Sequence, residues 1–125
     1  MIYLDTHVVV WLYAGLTDKF SDLAKSLINA HTPYISPIVR LELKYLYEIG
    51  RISELPDPII ADLSHIIGLR ICPEDFNRVI EYSLGLDWTR DPFDRLIVAH
   101  AAVNGSILLT KDSKILANYP QAKWE

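Results

Sequence analysis

Apolar residues in this chain follow two rhythms, short unbroken runs and longer stretches in which they recur at helical spacing. Residues 2–4 (IYL), 34–35, 69–72 and 106–110 (SILLT) are β-prone runs bounded by polar or turn residues, and SILLT is the clearest strand among them. Residues 7–13 read as a helix or as an extension of the first strand, broken at Gly15. Residues 21–31 read as a helix with Leu23, Leu27 and Ile28 on one face, stopped at Pro33. Ser36-Pro37 is a helix start, serine as N-cap and proline at the first helical position, and that helix runs to Gly50. Pro56 and Pro58 flank Asp57 in a turn before a second helix over 59–67, which makes the middle of the chain a helical hairpin. Pro73-Glu74 opens a helix through Leu84, and residues 93–103 form a nearly all-apolar helix ended by Gly105. Short apolar strands alternating with helices predict an α/β fold, a short parallel sheet flanked by helices. Without a linker, repeat or low-complexity segment, residues 1–125 are expected to form a single domain.

Composition narrows this picture. At 125 residues, 50% hydrophobic and 22% charged, the chain can bury a core without staples and is neither disordered nor an extended coiled coil. Its longest apolar run, 8–14, falls well short of the roughly 20 residues that span a bilayer. The start, MIYLD, has no basic region ahead of an apolar one, so no secretory signal is expected and a cytoplasmic location without a membrane partner is. The lone Cys72 reads as a small buried hydrophobe. A net charge of -4 argues against holding nucleic acid by bulk electrostatics. Arg90, Arg95, Lys111 and Lys114 nevertheless lie beside aspartates, so the local charge can differ from the total.

The candidate chemistry lies in acids at unusual positions. Arg40, Lys44, Glu48 and Arg51 mark the solvent side of the long helix, whereas Glu42 falls on the row Ile38, Glu42, Tyr45, Ile49, an acid on the apolar face. Such a carboxylate must be protonated, paired with a base or bound to a cation. Asp5 and Asp112 each follow an apolar strand, where ligands collect in open α/β sheets, although each would equally serve as a helix cap. Thr6 and Thr110 adjoin them with hydroxyl oxygens. In TRDPFDRLIVAH, Asp91 has the position of an N-cap and Pro92 the first helical position, while Asp94 shares a core-facing row with Ile97, Val98 and Ala101. If Asp5, Glu42, Asp94 and Asp112 converge, their oxygen-only ligation selects Mg2+ or Mn2+ and suits phosphoryl chemistry.

LDTHVVVWL, SPIVRLELKYL, RDPFDRLIVAHA and SILLTKD, in that order over essentially the full length, resemble the PIN-domain ribonucleases and, within them, the VapC-type toxins of toxin–antitoxin pairs. The resemblance implies a PIN-like domain whose site is Asp5, Glu42, Asp94 and Asp112, both catalytic and metal-holding. It further implies Mg2+ or Mn2+ dependence, cleavage of RNA to 5′-phosphate and 3′-hydroxyl ends, a homodimer, and inhibition by a cognate antitoxin. Thr6, Asp91, Thr110, Arg95 and Lys111 are secondary candidates. The helical hairpin, with Leu41, Leu43, Leu46, Tyr47, Ile59, Ile60 and Ile67, carries more apolar surface than one core-facing stripe requires and is the expected partner or dimer face.

Two alternatives differ in class. A PIN-like module that binds RNA or protein without cutting has no need of costly inward carboxylates. A Mg-dependent phosphatase of the haloacid-dehalogenase type wants a second aspartate two residues after the first, where this chain has His7. The four histidines show no metal spacing. Core or interface packing is the simpler role for Trp11, Trp88 and Trp124.

Overall fold

The computed structural model describes all 125 residues. Five strands, β1 (Ile2–Leu4), β2 (Pro33–Ile35), β3 (Arg70–Ile71), β4 (Ile107–Leu109) and β5 (Ala122–Lys123), form one sheet in the order β3-β2-β1-β4-β5. Every neighbouring pair is parallel, with Ile2 opposite Pro33 on one side and Ile107 on the other. Parallel strands need long crossovers, and seven helices supply them: α1 (Thr6–Tyr13), α2 (Asp22–Ala30), α3 (Pro37–Glu48), α4 (Pro56–Ile67), α5 (Phe76–Ser83), α6 (Pro92–Ala102) and α7 (Ser113–Asn118). Ile2, Tyr3, Leu4, Leu108 and Leu109 are all buried, as expected of central strands covered on both faces.

Several boundaries differ from the sequence-based expectation for identifiable reasons. Of the two readings open for residues 7–13, the structure takes the helical one, starting at Thr6, where the Asp5 side chain caps it by accepting from the Thr6 N–H. The Pro56-Asp57-Pro58 turn is instead the first turn of α4, where prolines lose nothing because those N–H groups have no helical partner. Helix α5 begins at Phe76, not Pro73, since Asp75 is the cap that accepts from Asn77 N–H. Helix α2 buries Ala24 and leaves Leu23 exposed, a rotation from the expected face. Helix α7 and strand β5 have no counterpart in the expectation: six- and two-residue elements are too short to show a period.

The hairpin of α3 and α4 is present, and its apolar excess divides between two fates. Leu43 and Ile59 belong to the core, whereas Leu41, Tyr47, Ile49 and Leu55 are exposed. Cys72 is buried and accepts a hydrogen bond from the Tyr3 hydroxyl. No helix is long and apolar enough to cross a membrane.

The C-terminal segment is anchored by aromatic packing. Trp124 is buried, with its ring centroid 5.8 Å from Trp11 and 5.3 Å from Phe20, and its carbonyl accepts from the Ser21 hydroxyl. Trp124→Ala is therefore expected to cost about 3–5 kcal/mol in urea denaturation, through lost burial and the cavity left beside Trp11. A loss of only about 0.5 kcal/mol, typical of a surface substitution, would show that β5 is not part of the cooperative core.

Candidate active site

The order β3-β2-β1-β4-β5 reverses direction at one place. From β1 the chain builds outward through β2 to β3, and from β4 it builds the other way to β5. Crossovers leaving in opposite directions open a crevice beyond the carboxyl ends of β1 and β4, the usual ligand position in such sheets. Asp5 and Asp112 flank it.

Asp5 is fixed by its backbone and both carboxylate oxygens. Its N–H donates to Leu109 O at 3.1 Å, Oδ1 accepts from Thr6 N–H at 2.8 Å, and Oδ2 accepts from the Thr110 hydroxyl at 2.7 Å. The same Thr110 hydroxyl oxygen accepts from Asp112 N–H at 3.0 Å, so one side chain ties the two acids to the end of β4. Asp112 caps α7, its Oδ1 accepting from Lys114 and Ile115 N–H groups. Both aspartates therefore cap the helices that follow them, and both stand at the carboxyl ends of β1 and β4.

Glu42 reaches the crevice from α3 and accepts a hydrogen bond from the Thr6 hydroxyl. It does not lie on the core-facing row. That row is Val39 and Leu43, while Tyr45 and Ile49, its expected companions, are about half exposed. Helix α3 packs against α1, α4 and α6, and Glu42 meets α1 through the Thr6 hydroxyl. Asp94, in the first turn of α6, is half-buried, and Ile97, Val98 and Ala101 behind it are buried as expected. Asp91 is the cap of that helix, accepting from Phe93 and Asp94 N–H groups at 2.8 and 3.4 Å.

Electrostatics shows that the acids share a field. The Asp94 carboxyl is pushed up to about 7, first by burial and then by the negative charges of Asp91, Asp5, Asp112 and Glu42. Glu42 is also raised, chiefly by burial, with Asp5 and Asp91 adding to the effect and the Thr6 hydroxyl opposing it. No basic side chain relieves them. The chain's ion pairs join His7 to Asp5, Arg40 to Asp57 and Arg78 to Glu74, so Glu42, Asp94 and Asp112 have none. Arg95 instead donates from Nε to Thr89 O, bracing the segment before α6, and the Lys111 side chain pairs with no acid.

His7 belongs to the site although the sequence carried no signal for it beyond lying two residues after Asp5. Its Nε2 accepts the Lys111 backbone N–H at 2.9 Å, which leaves the proton on Nδ1, 3.6 Å from Asp5 Oδ2. Burial holds the imidazole below its ordinary pKa against the opposing pull of Asp5 and Asp112, so it is a neutral latch on the turn that carries Asp112. His100 is buried but sits away from the acids, with Nδ1 2.7 Å from Ser36 Oγ at the start of α3.

As the side chains stand, no three His, Cys, Asp or Glu residues close around one point. In donor chemistry, however, the set fits a hard divalent cation: carboxylate oxygens only, with the Glu42 and Asp94 carboxyls raised in pKa first by burial and then by the neighbouring acids, and with no lysine or arginine paired to them.

The family model described as PIN domain matches residues 2–120. No curated protein sequence matches the chain. Among solved structures it is similar to a chain of VapBC2 from Rickettsia felis bound to a DNA fragment from their promoter, with TM-score 0.69, 23% identity and 100% of both chains covered. It is also similar to a chain of a toxin–antitoxin complex from Klebsiella pneumoniae, with TM-score 0.67, 21% identity, and 97% of this chain and 94% of the other covered. A third likeness is to DNA-bound VapBC from Salmonella typhimurium, with TM-score 0.67, 19% identity and coverage of 99% and 96%. At these identities the likeness is one of fold.

The raised carboxyl of Asp94 sets a pH dependence for the cation-free protein. The folded state holds the Asp94 proton up to about pH 7, while the unfolded chain releases it near the ordinary 3.8, so this residue's penalty develops between those values and is complete above 7. In EDTA, Asp94→Asn should therefore melt higher than the parent at pH 8, and the gap should close below pH 4. Solvent screening of a half-exposed group keeps the gain modest. A lower melting temperature for Asp94→Asn at pH 8 would mean that the carboxylate is compensated by something other than a cation.

Proposed function

The chain belongs to the PIN domain family, and from that premise we propose that it is a Mg2+- or Mn2+-dependent endoribonuclease, the toxin of a toxin–antitoxin pair acting in the cytoplasm. One observation carries the reading: acids from two strand ends and two helices share the switch-point crevice with no lysine or arginine paired to them. A non-catalytic binding module gains nothing from that arrangement. A phosphatase of the dehalogenase type lacks its second acid, because His7 occupies the position and is engaged with the Lys111 backbone.

Asp5, Glu42, Asp94 and Asp112 are the residues that would hold the cation. When bound, it supplies Lewis acidity, offsetting charge on a phosphodiester and making water a better nucleophile at neutral pH. The chain does the rest by positioning. Hydroxyls of Thr6 and Thr110 orient Glu42 and Asp5 without cancelling their charge, and His7 keeps the Lys111-Asp112 turn against α1. The exposed, unpaired side chains of Arg90, Lys111 and Lys114 are available to phosphates around an otherwise acidic centre.

Inhibition by an antitoxin and assembly as a homodimer belong to the same reading. They are supported by the fold shared with the toxin–antitoxin complex from Klebsiella pneumoniae and by the exposed Leu41, Tyr47, Ile49 and Leu55 around the hairpin. If the partner exists, co-purification from the native host should recover a small second protein. Recovery of self-associated chain alone would count against it.

Purified protein should cut RNA with Mn2+ or Mg2+, stop in excess EDTA and resume when the ion is restored; hydrolysis undiminished by EDTA would remove the metal mechanism. With the ion present, Asp94→Asn should lose on the order of 100-fold or more in cleavage while remaining folded. Asp91→Ala should instead cost about 0.5–2 kcal/mol of stability through the lost cap and keep much of its activity in the folded fraction. The opposite pattern in well-folded proteins would place the site on the wrong aspartate.

A further inference from the structure

We propose that Tyr45 and Phe93 form a stacking shelf for a nucleobase next to the scissile phosphodiester. The inference rests on the ribonuclease reading above and adds a substrate contact to it. Tyr45 stands one helical turn beyond Glu42 on α3, and Phe93 immediately precedes Asp94 on α6, so each ring is tethered beside one of the site acids. The two rings meet across the α3–α6 seam with centroids 6.0 Å apart and planes tilted by 32°.

What distinguishes this pair is where it lies. The Trp11, Phe20 and Trp124 rings pack on one another at or against the core, and Tyr3 meets Tyr34 over the sheet. Tyr45, by contrast, is 48% exposed, with Phe93 half-buried beneath the same seam. Tyr47, Phe76 and Tyr82 are also exposed, but among the aromatic pairs only Tyr45 and Phe93 join helix positions that each adjoin a site acid, Glu42 one turn before Tyr45 and Asp94 next to Phe93.

The charge balance gives the ring a use. A chain of net charge -4 with a cluster of acids at its centre repels a polyanion, and a bound cation offsets only part of that. Stacking on an aromatic face is indifferent to charge and to base identity, because every base has a π-face. A shelf at Tyr45 and Phe93 would hold the base next to the phosphodiester under attack, placing the backbone by a contact the acids do not oppose. Single-stranded or unpaired RNA is the substrate class it fits, since a paired base has no free face to offer.

The test is steady-state cleavage, with Mn2+, of a single-stranded RNA that the parent protein cuts, by Tyr45→Leu and Phe93→Leu, which keep apolar bulk and remove the ring. Each should lose roughly 5- to 150-fold in kcat/KM, mostly through KM, the range a single base–aromatic stack spans. Tyr45→Phe should recover most of that loss. A substrate abasic at the flanking nucleotide should penalise the parent by a similar factor and add little to Tyr45→Leu. Thermal melting checks folding, and if Phe93→Leu melts out, the exposed Tyr45 carries the test alone. Parent-like cleavage by Tyr45→Leu, or a full extra penalty from the abasic substrate, overturns the shelf while leaving the ribonuclease reading intact. Cleavage retained but partner binding lost would make the pair a protein seat and overturn it too. A parent protein that cuts no RNA with either ion removes the underlying reading first.

Discussion

The parallel pairing of β1 with β4 is the constraint on which the site depends. It is the one junction in the sheet where strand order reverses, and it continues past the strands themselves through the Asp5 N–H bond to Leu109 O. That extra bond sets the height of Asp5 above the sheet edge. The Thr110 hydroxyl then joins Asp5 Oδ2 to the Asp112 N–H, so two acids more than a hundred residues apart are held by one threonine. Slipping the register of β4 by one residue would exchange the faces of Leu108 and Leu109 and move Asp112 away from Asp5.

Charge is concentrated here at a cost the remainder of the fold absorbs. Asp94 and Glu42 are both driven toward their neutral forms, and neither is relieved by a lysine or arginine. A basic partner would stabilise them better than a hydroxyl does, but it would cancel the charge they carry. Thr6 and Thr110 fix carboxylate orientation while leaving the charge available. The surrounding core, from Ile2 and Leu4 to Leu108 and Ile115, is fully buried and supplies the apolar stabilisation that such a centre withholds.

Residues whose roles were hard to read share a physical feature. The sequence marks Glu42 as an acid on an apolar row, but the row that faces the core is Val39 and Leu43, and Tyr45 and Ile49 face largely outward. A helical wheel ranks faces by polarity, whereas burial on α3 is set by its contacts with α1, α4 and α6, so the apolar positions Tyr45 and Ile49 can lie outside them. His7 was unremarkable in the sequence because its partner is a backbone N–H at Lys111, which no side-chain pattern encodes. The reach of α4 back to Pro56 was obscured because proline both breaks helices and begins them.

Local chemistry determined a good deal by itself. The apolar runs at 2–4 and 106–110, the Ser36-Pro37 and Asp91-Pro92 helix starts and the alternation of strands with helices were legible, since caps, prolines and hydrophobic periods act over a few residues. So was the anomaly of acids at strand ends and on an apolar helix row. Tertiary structure alone decided that Asp5 and Asp112 lie side by side at the strand reversal, that Glu42 answers to Thr6, and that Asp94 feels all of them. Sheet order, strand register and helix rotation are settled by burying the whole core at once, and a field summed over distant carboxylates exists only after that burial has brought them together.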